Sequence, residues 1–143
     1  MHVASILKVK GYAVETVRAD ANLMSVAGRL ADKRIGAVVV TDRSGKVAGI
    51  VSERDIVQAL AKEGASCLDW PVAEIMTREV LTCTEDDTID ELMSRMTMRR
   101  CRHLPVIASG RLAGIISIGD VVKHHIAEVE MEAMAMRDYI ATA

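Results

Sequence analysis

Aromatic side chains are nearly missing from this chain: Trp70, Tyr12 and Tyr139 are all there is, with no Phe. Stacking platforms for single-stranded nucleic acid are therefore absent, and a core must be built from Val, Ile, Leu, Ala and Met. Charge of one sign is also missing. A net charge of −2 gives no reason to expect nucleic acid as a partner. Cysteine is scarce: Cys67, Cys83 and Cys101 are odd in number and lack the paired spacing of a zinc site. They read as reduced thiols of a cytoplasmic protein. No stretch reaches the roughly 18 consecutive apolar residues that span a membrane, and the opening Met1-His2-Val3-Ala4-Ser5-Ile6-Leu7-Lys8 has no signal-peptide layout. What remains is globular: 50% hydrophobic and 27% charged over 143 residues, enough for one ordinary domain or two small ones sharing a core.

What the chain does have is a repeat. Gly45-Lys46-Val47-Ala48-Gly49-Ile50-Val51-Ser52-Glu53-Arg54-Asp55-Ile56-Val57 returns 65 positions later as Gly110-Arg111-Leu112-Ala113-Gly114-Ile115-Ile116-Ser117-Ile118-Gly119-Asp120-Val121-Val122. Of these 13 pairs, 7 are identical and 4 are close exchanges. The polar Ser and Asp survive along with the apolar skeleton, which points to a duplicated site and not only a duplicated core.

Each half reads as strand, helix, strand, strand, helix. In the first, Ala13 to Val17 is a short strand, and Leu23, Val26, Ala27 and Leu30 recur at helical spacing. Ala37-Val38-Val39-Val40 is a buried strand, Thr41 to Gly45 a turn, Lys46 to Ser52 the returning strand, and Glu53 to Lys62 a helix. The second half offers Val80-Leu81-Thr82, then a helix from Thr88 to Arg99 opened by Thr88 and Glu91 at capping-box spacing. Leu104-Pro105-Val106-Ile107 is its next strand. The turn Ala108-Ser109-Gly110 is two residues shorter than its counterpart, and Arg111 to Ser117 returns. The expected architecture is α+β: two β-α-β-β-α repeats packed with pseudo-twofold symmetry, at residues 6–63 and 74–124, joined by a linker at 64–73. Neither half buries enough alone. A helical extension at 125–143 continues a seam of Val122, Ile126, Val129, Ala133, Met136 and Ile140, spaced alternately by four and three. That seam packs on a second copy or folds back on the body. An adaptable methionine groove at Met131, Met134 and Met136 is the less favoured reading.

A hairpin followed by Gly-hydrophobic-hydrophobic-Ser-x-x-Asp opening a helix, twice in 65-residue steps, resembles the cystathionine-β-synthase (CBS) domain, and two in tandem resemble a Bateman module. Arg102-His103-Leu104-Pro105-Val106 and Glu74-Ile75-Met76-Thr77 also match wording common in that family. The resemblance implies an adenosine-containing ligand (AMP, ADP, ATP, NAD or NADH, or S-adenosylmethionine) in the cleft between repeats. It also implies regulation of a partner protein, and a homodimer, often a flat four-repeat disc. The halves depart from each other: Ile35-Gly36-Ala37-Val38 stands against Arg102-His103-Leu104-Pro105, and Glu53-Arg54 against Ile118-Gly119. The two sites are not equivalent.

The chemistry can be argued beside that likeness. A helix start offers free N–H groups and the positive end of the dipole to a phosphate, and the strand glycines Gly49 and Gly114 let a ligand or another backbone come close. Ser52 and Ser117 can donate a hydroxyl, Gly119 lies beside the second Ser, and Asp55 and Asp120 can accept from a ribose diol. Ile35, Gly36, Ala37, Leu104 and Pro105 are candidates to flank a base at apolar strand edges, and Arg54, Arg102 and His103 to meet phosphate. Against this, Ser52…Asp55 and Ser117…Asp120 have the spacing of a helix cap, which stabilises a helix start by about 1 kcal/mol with no ligand. Both readings stand. Adjacent His124 and His125 point apart and read as surface residues; Glu85-Asp86-Asp87 reads as acids before a helix start. Arg99 to His103 is a solvated loop, or one entering the phosphate end of the cleft. Cys101 beside it reads as an inert thiol ahead of a redox sensor. No nucleophile–base pair or glycine-rich phosphate loop is found. A regulatory binding module is thus favoured over a ligand-free assembly module, and both over an enzyme.

Overall fold

In the computed structural model, which describes residues 1–142, the chain runs α1 (Val3–Lys10), β1 (Thr16–Arg18), α2 (Leu23–Lys33), β2 (Ala37–Thr41), β3 (Val47–Ser52) and α3 (Glu53–Glu63). Two short 3-10 turns, Ala65–Asp69 and Val72–Glu74, lead to α4 (Ile89–Arg99), β4 (His103–Ala108), β5 (Arg111–Ser117) and the 25-residue α5 (Ile118–Thr142). Residue 143, the last of the expected extension, lies outside the described residues. The helices start where side chains satisfy their free N–H groups. Asn22 accepts from Ser25 N–H at 2.8 Å, and Thr88 accepts from Glu91 N–H at 3.2 Å.

The hairpins β2–β3 and β4–β5 are antiparallel, and in each the register shifts past one unopposed residue of the returning strand, Ala48 or Ala113. Ala37 to Val40 are buried without alternation, as a β-branched strand covered on both faces must be. The pairings Ala37↔Ser52 and His103↔Ser117 equate Ala37 with His103. The expected alignment of Gly36 with His103 is therefore one residue out. Thr41 pairs Val47 and Ile107 pairs Leu112, so the second turn is shorter by one residue, not two. The first strand of the chain sits at Thr16–Arg18, parallel to β2, later than expected. The strand expected at Val80 to Thr82 does not form; Cys83 alone bridges in parallel to Val106.

Two apolar cores result, and each takes in a segment that the sequence order assigns to the other half. The first core (Val17, Leu23, Val26, Val38, Val40, Val51) is completed by Cys67, Val72 and Met76 from the segment between the repeats. The second (Ile89, Leu92, Leu104, Val106, Ile116, Val121) is completed by Val3, Ile6 and Leu7 of α1. Hydrogen bonds fix the exchange. Val3 and Ala4 donate to the carbonyls of Asp87 and Glu85 at 2.9 and 3.0 Å, and Val72 and Ala73 donate to those of Ala21 and Ala19 at 2.7 and 3.1 Å. By packing, then, residues 6–10 belong with the second repeat, although the sequence reading placed them in the first. Residues 65–76 behave as part of the first core, not as a free linker. The expected extension is the far end of one continuous helix.

Candidate functional site

Ser52 ends β3 and opens α3. Its hydroxyl accepts from Asp55 N–H at 3.3 Å while its own N–H donates to Asp55 Oδ2 at 2.9 Å. This is a complete capping box. Beside it opens a cleft of about 970 Å³ between the two repeats. Gly36, Ser52, Arg54, Asp55, Arg102 and His103 line it, so six of the candidate residues come together. Arg99, the last residue of α4, and Arg100 after it line the same cleft. Arg100 holds a left-handed conformation, φ 53°, at the end of α4, the position where helices usually place glycine. That turn swings Cys101, Arg102 and His103 toward the cleft.

Other candidates lie elsewhere. Leu104 and Pro105 are buried on β4, Leu104 in the second core and Pro105 paired with Ile115. Ala37 is buried on β2, and Ile35 packs on the first core. None of the four lines this cleft: Leu104, Pro105 and Ala37 sit on covered strands, and Ile35 lies partly buried just before β2. The apolar walls are instead Ile50, Val57, Val80 and Leu81, with Thr77 and Glu79 beside them. Sequence reasoning missed these six; their only signal was that residues 77–81 lead into the second repeat. Gly49 and Gly114 make room for the chain itself. A Cβ on Gly49 would lie 2.5 Å from Met76 Sδ and 2.9 Å from the Thr77 carbonyl, and one on Gly114 2.8 Å from Leu7 Cδ2.

Ser117, Gly119 and Asp120 do not line the cleft. They form a second box: Ser117 N–H and Oγ each donate to Asp120 Oδ2 at 2.9 Å, and Asp120 N–H donates to Ser117 Oγ at 3.2 Å. Here Lys10, at the end of α1, donates to Asp120 Oδ2 at 2.6 Å and to the Ile115 carbonyl at 2.8 Å. Burial works to raise the Asp120 carboxyl, but the Lys10 and Ser117 hydrogen bonds prevail and hold it below the usual aspartate range. Asp55 has no ion-pair partner among the described residues.

The two repeats touch where Gly36 meets His103. A Cβ on Gly36 would stand 3.1 Å from the imidazole, so the glycine leaves space for the ring. Burial, then the charge of Lys10, hold His103 below the usual histidine range, against the opposing pull of Glu53 and Asp120. It is neutral at pH 7 and able to accept or donate one hydrogen bond. Burial likewise raises the Cys101 thiol despite Arg99, which fits an inert thiol and not a reactive thiolate. Asp87 of the acidic run is held by Arg95 at 2.7 Å, and among the described residues no cluster of His, Cys, Asp or Glu is arranged to hold a metal.

The CBS domain family profile matches twice, over residues 9–62 and 72–126. The chain belongs to the CBS domain family. This CBS pair is similar to the CBS-domain containing protein ATU1752 of Agrobacterium tumefaciens, at 50% identity and a TM-score of 0.86, over 87% of this chain and 99% of that one. The CBS domain pair of protein MJ0100, solved in complex with 5′-methylthioadenosine and S-adenosyl-L-methionine, matches at 27% identity and a TM-score of 0.80, covering 90% of this chain and 98% of that one. PAE2072 of Pyrobaculum aerophilum, complexed with AMP, matches at 28% identity and a TM-score of 0.75, over 84% and 89% of the two chains. No helix among the described residues is long and apolar enough to cross a membrane.

Proposed function

We propose that this CBS pair is a non-catalytic regulatory module of the cytoplasm that binds an adenosine-containing ligand in the cleft beside Ser52 and Asp55 and signals to a partner protein in trans. The observation that carries the reading is one open cleft lined both by the Asp55 carboxylate, which has no ion-pair partner among the described residues, and by Arg54, Arg99, Arg100 and Arg102. A carboxylate accepts from both hydroxyls of a ribose, and guanidinium groups bind phosphate oxygens bidentately. Ile50, Val80 and Leu81 offer the apolar surface a base needs. Relatives of the same fold complexed with AMP or with S-adenosyl-L-methionine support the ligand class. Four cleft arginines favour phosphate-bearing ligands (AMP, ADP, ATP, NAD or NADH) over S-adenosylmethionine. The Asp120 box, holding Lys10, is the weaker site for any of them.

The test is the melting temperature of ligand-stripped protein against AMP, ADP, ATP, NAD, NADH and S-adenosylmethionine. A ligand at about 100 times its Kd adds roughly 2.7 kcal/mol, a rise on the order of 5 °C for a chain of this size. A selective rise with a phosphate-bearing adenine ligand is expected. No rise with any of the six would overturn the sensor and leave an assembly module.

A further inference from the structure

Among the described residues, nine of the fifteen exposed large hydrophobic side chains lie on α5. Val121 is its single buried residue, and positions 129–142 are exposed without exception. On its open side the seam residues Val122, Ile126, Val129, Met136 and Ile140 are 47, 52, 49, 60 and 67% exposed. A helix end with no packed face is marginal in water, and an apolar stripe repeating every 3.5 residues matches the same stripe on another helix.

We propose that α5 pairs with α5 of a second copy of this chain as a parallel, in-register two-stranded coil. The flanking charges choose both occupant and direction. With Ile126, Ala133 and Ile140 at one core position and Val122, Val129 and Met136 at the other, the flanks are His125, Glu132 and Tyr139 on one side and Lys123, Glu130 and Arg137 on the other. In a parallel pair each residue of the first flank lies beside the residue five positions later in its partner. Glu132 then meets Arg137, and His125 meets Glu130, twice over by symmetry. The antiparallel pairing that covers the whole seam sets Glu130 on Glu130, Glu132 on Glu132 and Lys123 on Arg137. The same stripe that attracts a second copy thus rejects it when reversed. The proposal does not depend on any nucleotide.

The test combines solution mass with charge reversal. The wild-type chain is expected to sediment as a concentration-dependent dimer. Glu132→Arg and Arg137→Glu should each weaken dimerisation by on the order of tenfold, because two flanking attractions turn into repulsions. The double variant should return to within about threefold of wild type, since it rebuilds both pairs with the signs exchanged. Ile140→Cys should form an interchain disulfide under mild oxidation that the wild-type chain does not. Reversed helices would hold the two sites about 27 Å apart, at 1.5 Å per residue. A monomer at 100 µM, a tighter dimer in Arg137→Glu, failure of the double variant to recover, or no cross-link at position 140 would each overturn the proposal.

Discussion

The two Ser–Asp boxes have the same sequence and nearly the same internal hydrogen bonds, and they differ in what lies against the strand that precedes them. At Ile50 the strand edge is satisfied by main chain: Ile50 and Thr77 exchange N–H···O bonds at 3.0 and 2.9 Å. At Ile115 the carbonyl takes the Lys10 ammonium, which reaches on to Asp120. The matching main-chain bonds of Val72 and Val3, and of Ala73 and Ala4, set these two segments 69 residues apart, so Leu7 over Gly114 is the counterpart of Met76 over Gly49, and Lys10 that of Glu79. Glu79 lines the cleft without bonding Asp55, whereas Lys10 bonds Asp120 directly. The Ser–Asp motif is repeated in both halves, and under the proposed reading Lys10, outside that motif, is what sets the second copy apart.

Breaking the first box against the second is the sharpest test. Asp55→Ala should weaken the bound nucleotide about 10- to 100-fold, the loss of hydrogen bonds to a charged acceptor, while the lost cap lowers stability by about 1 kcal/mol. Asp120→Ala should leave that affinity within about threefold and register in melting temperature instead. Isothermal titration and thermal melts on both variants separate these outcomes, and equal affinity losses would erase the comparison. A smaller effect comes from Lys10→Met, which removes the ammonium from the second box while keeping an unbranched apolar side chain. The Lys10–Asp120 pair is partly exposed and its loss should lower stability by only about 0.5–1 kcal/mol. The binding stoichiometry should rise from one ligand per chain toward two; a stoichiometry still at one would show that the lysine is not what closes the site.

The mildest effect is in pH. His103 titrates below its unfolded value. Above about pH 6.5 it is neutral folded and unfolded alike, and it adds no pH dependence. As pH falls through 6.5 the unfolded chain takes a proton that the folded site resists, so stability drops. Asp120, held low, keeps its contribution above about pH 4 and loses it only in more acid solution. Between pH 7 and 5, therefore, the melting temperature should decline, and His103→Asn should flatten the decline. An unchanged slope would place the titrating group elsewhere.

The hairpins, the capped helices and the polar lining of the cleft were legible because each is written locally: turn residues, 3.6-residue periodicity and a motif stated twice. Ser52, Asp55, Arg102 and His103 come together as that motif suggests. Leu104 was lost to a register of one. Equating His103 with Gly36 rather than Ala37 shifts β4 by one residue, and in a strand such a step turns each side chain to the other face. Lys10 was illegible for a different reason. The periodicity of α1 shows that one side is apolar, but not which of two similar cores will receive it. Val80 and Leu81 became walls and not a strand because only Cys83 finds a main-chain partner on β4.

The exchange of α1 and the 65–76 segment between the cores also sets an order of events during synthesis. Val3, Ile6 and Leu7 leave the ribosome about a hundred residues ahead of Leu104, Ile116 and Val121, against which they pack. Closing so long a loop is slow relative to local helix and hairpin formation. The first core, whose parts all lie between Val17 and Met76, can condense while the second is still being made. The nascent chain thus carries an unsheltered apolar segment until the second repeat has been made, and that interval is where a holding chaperone has most to protect.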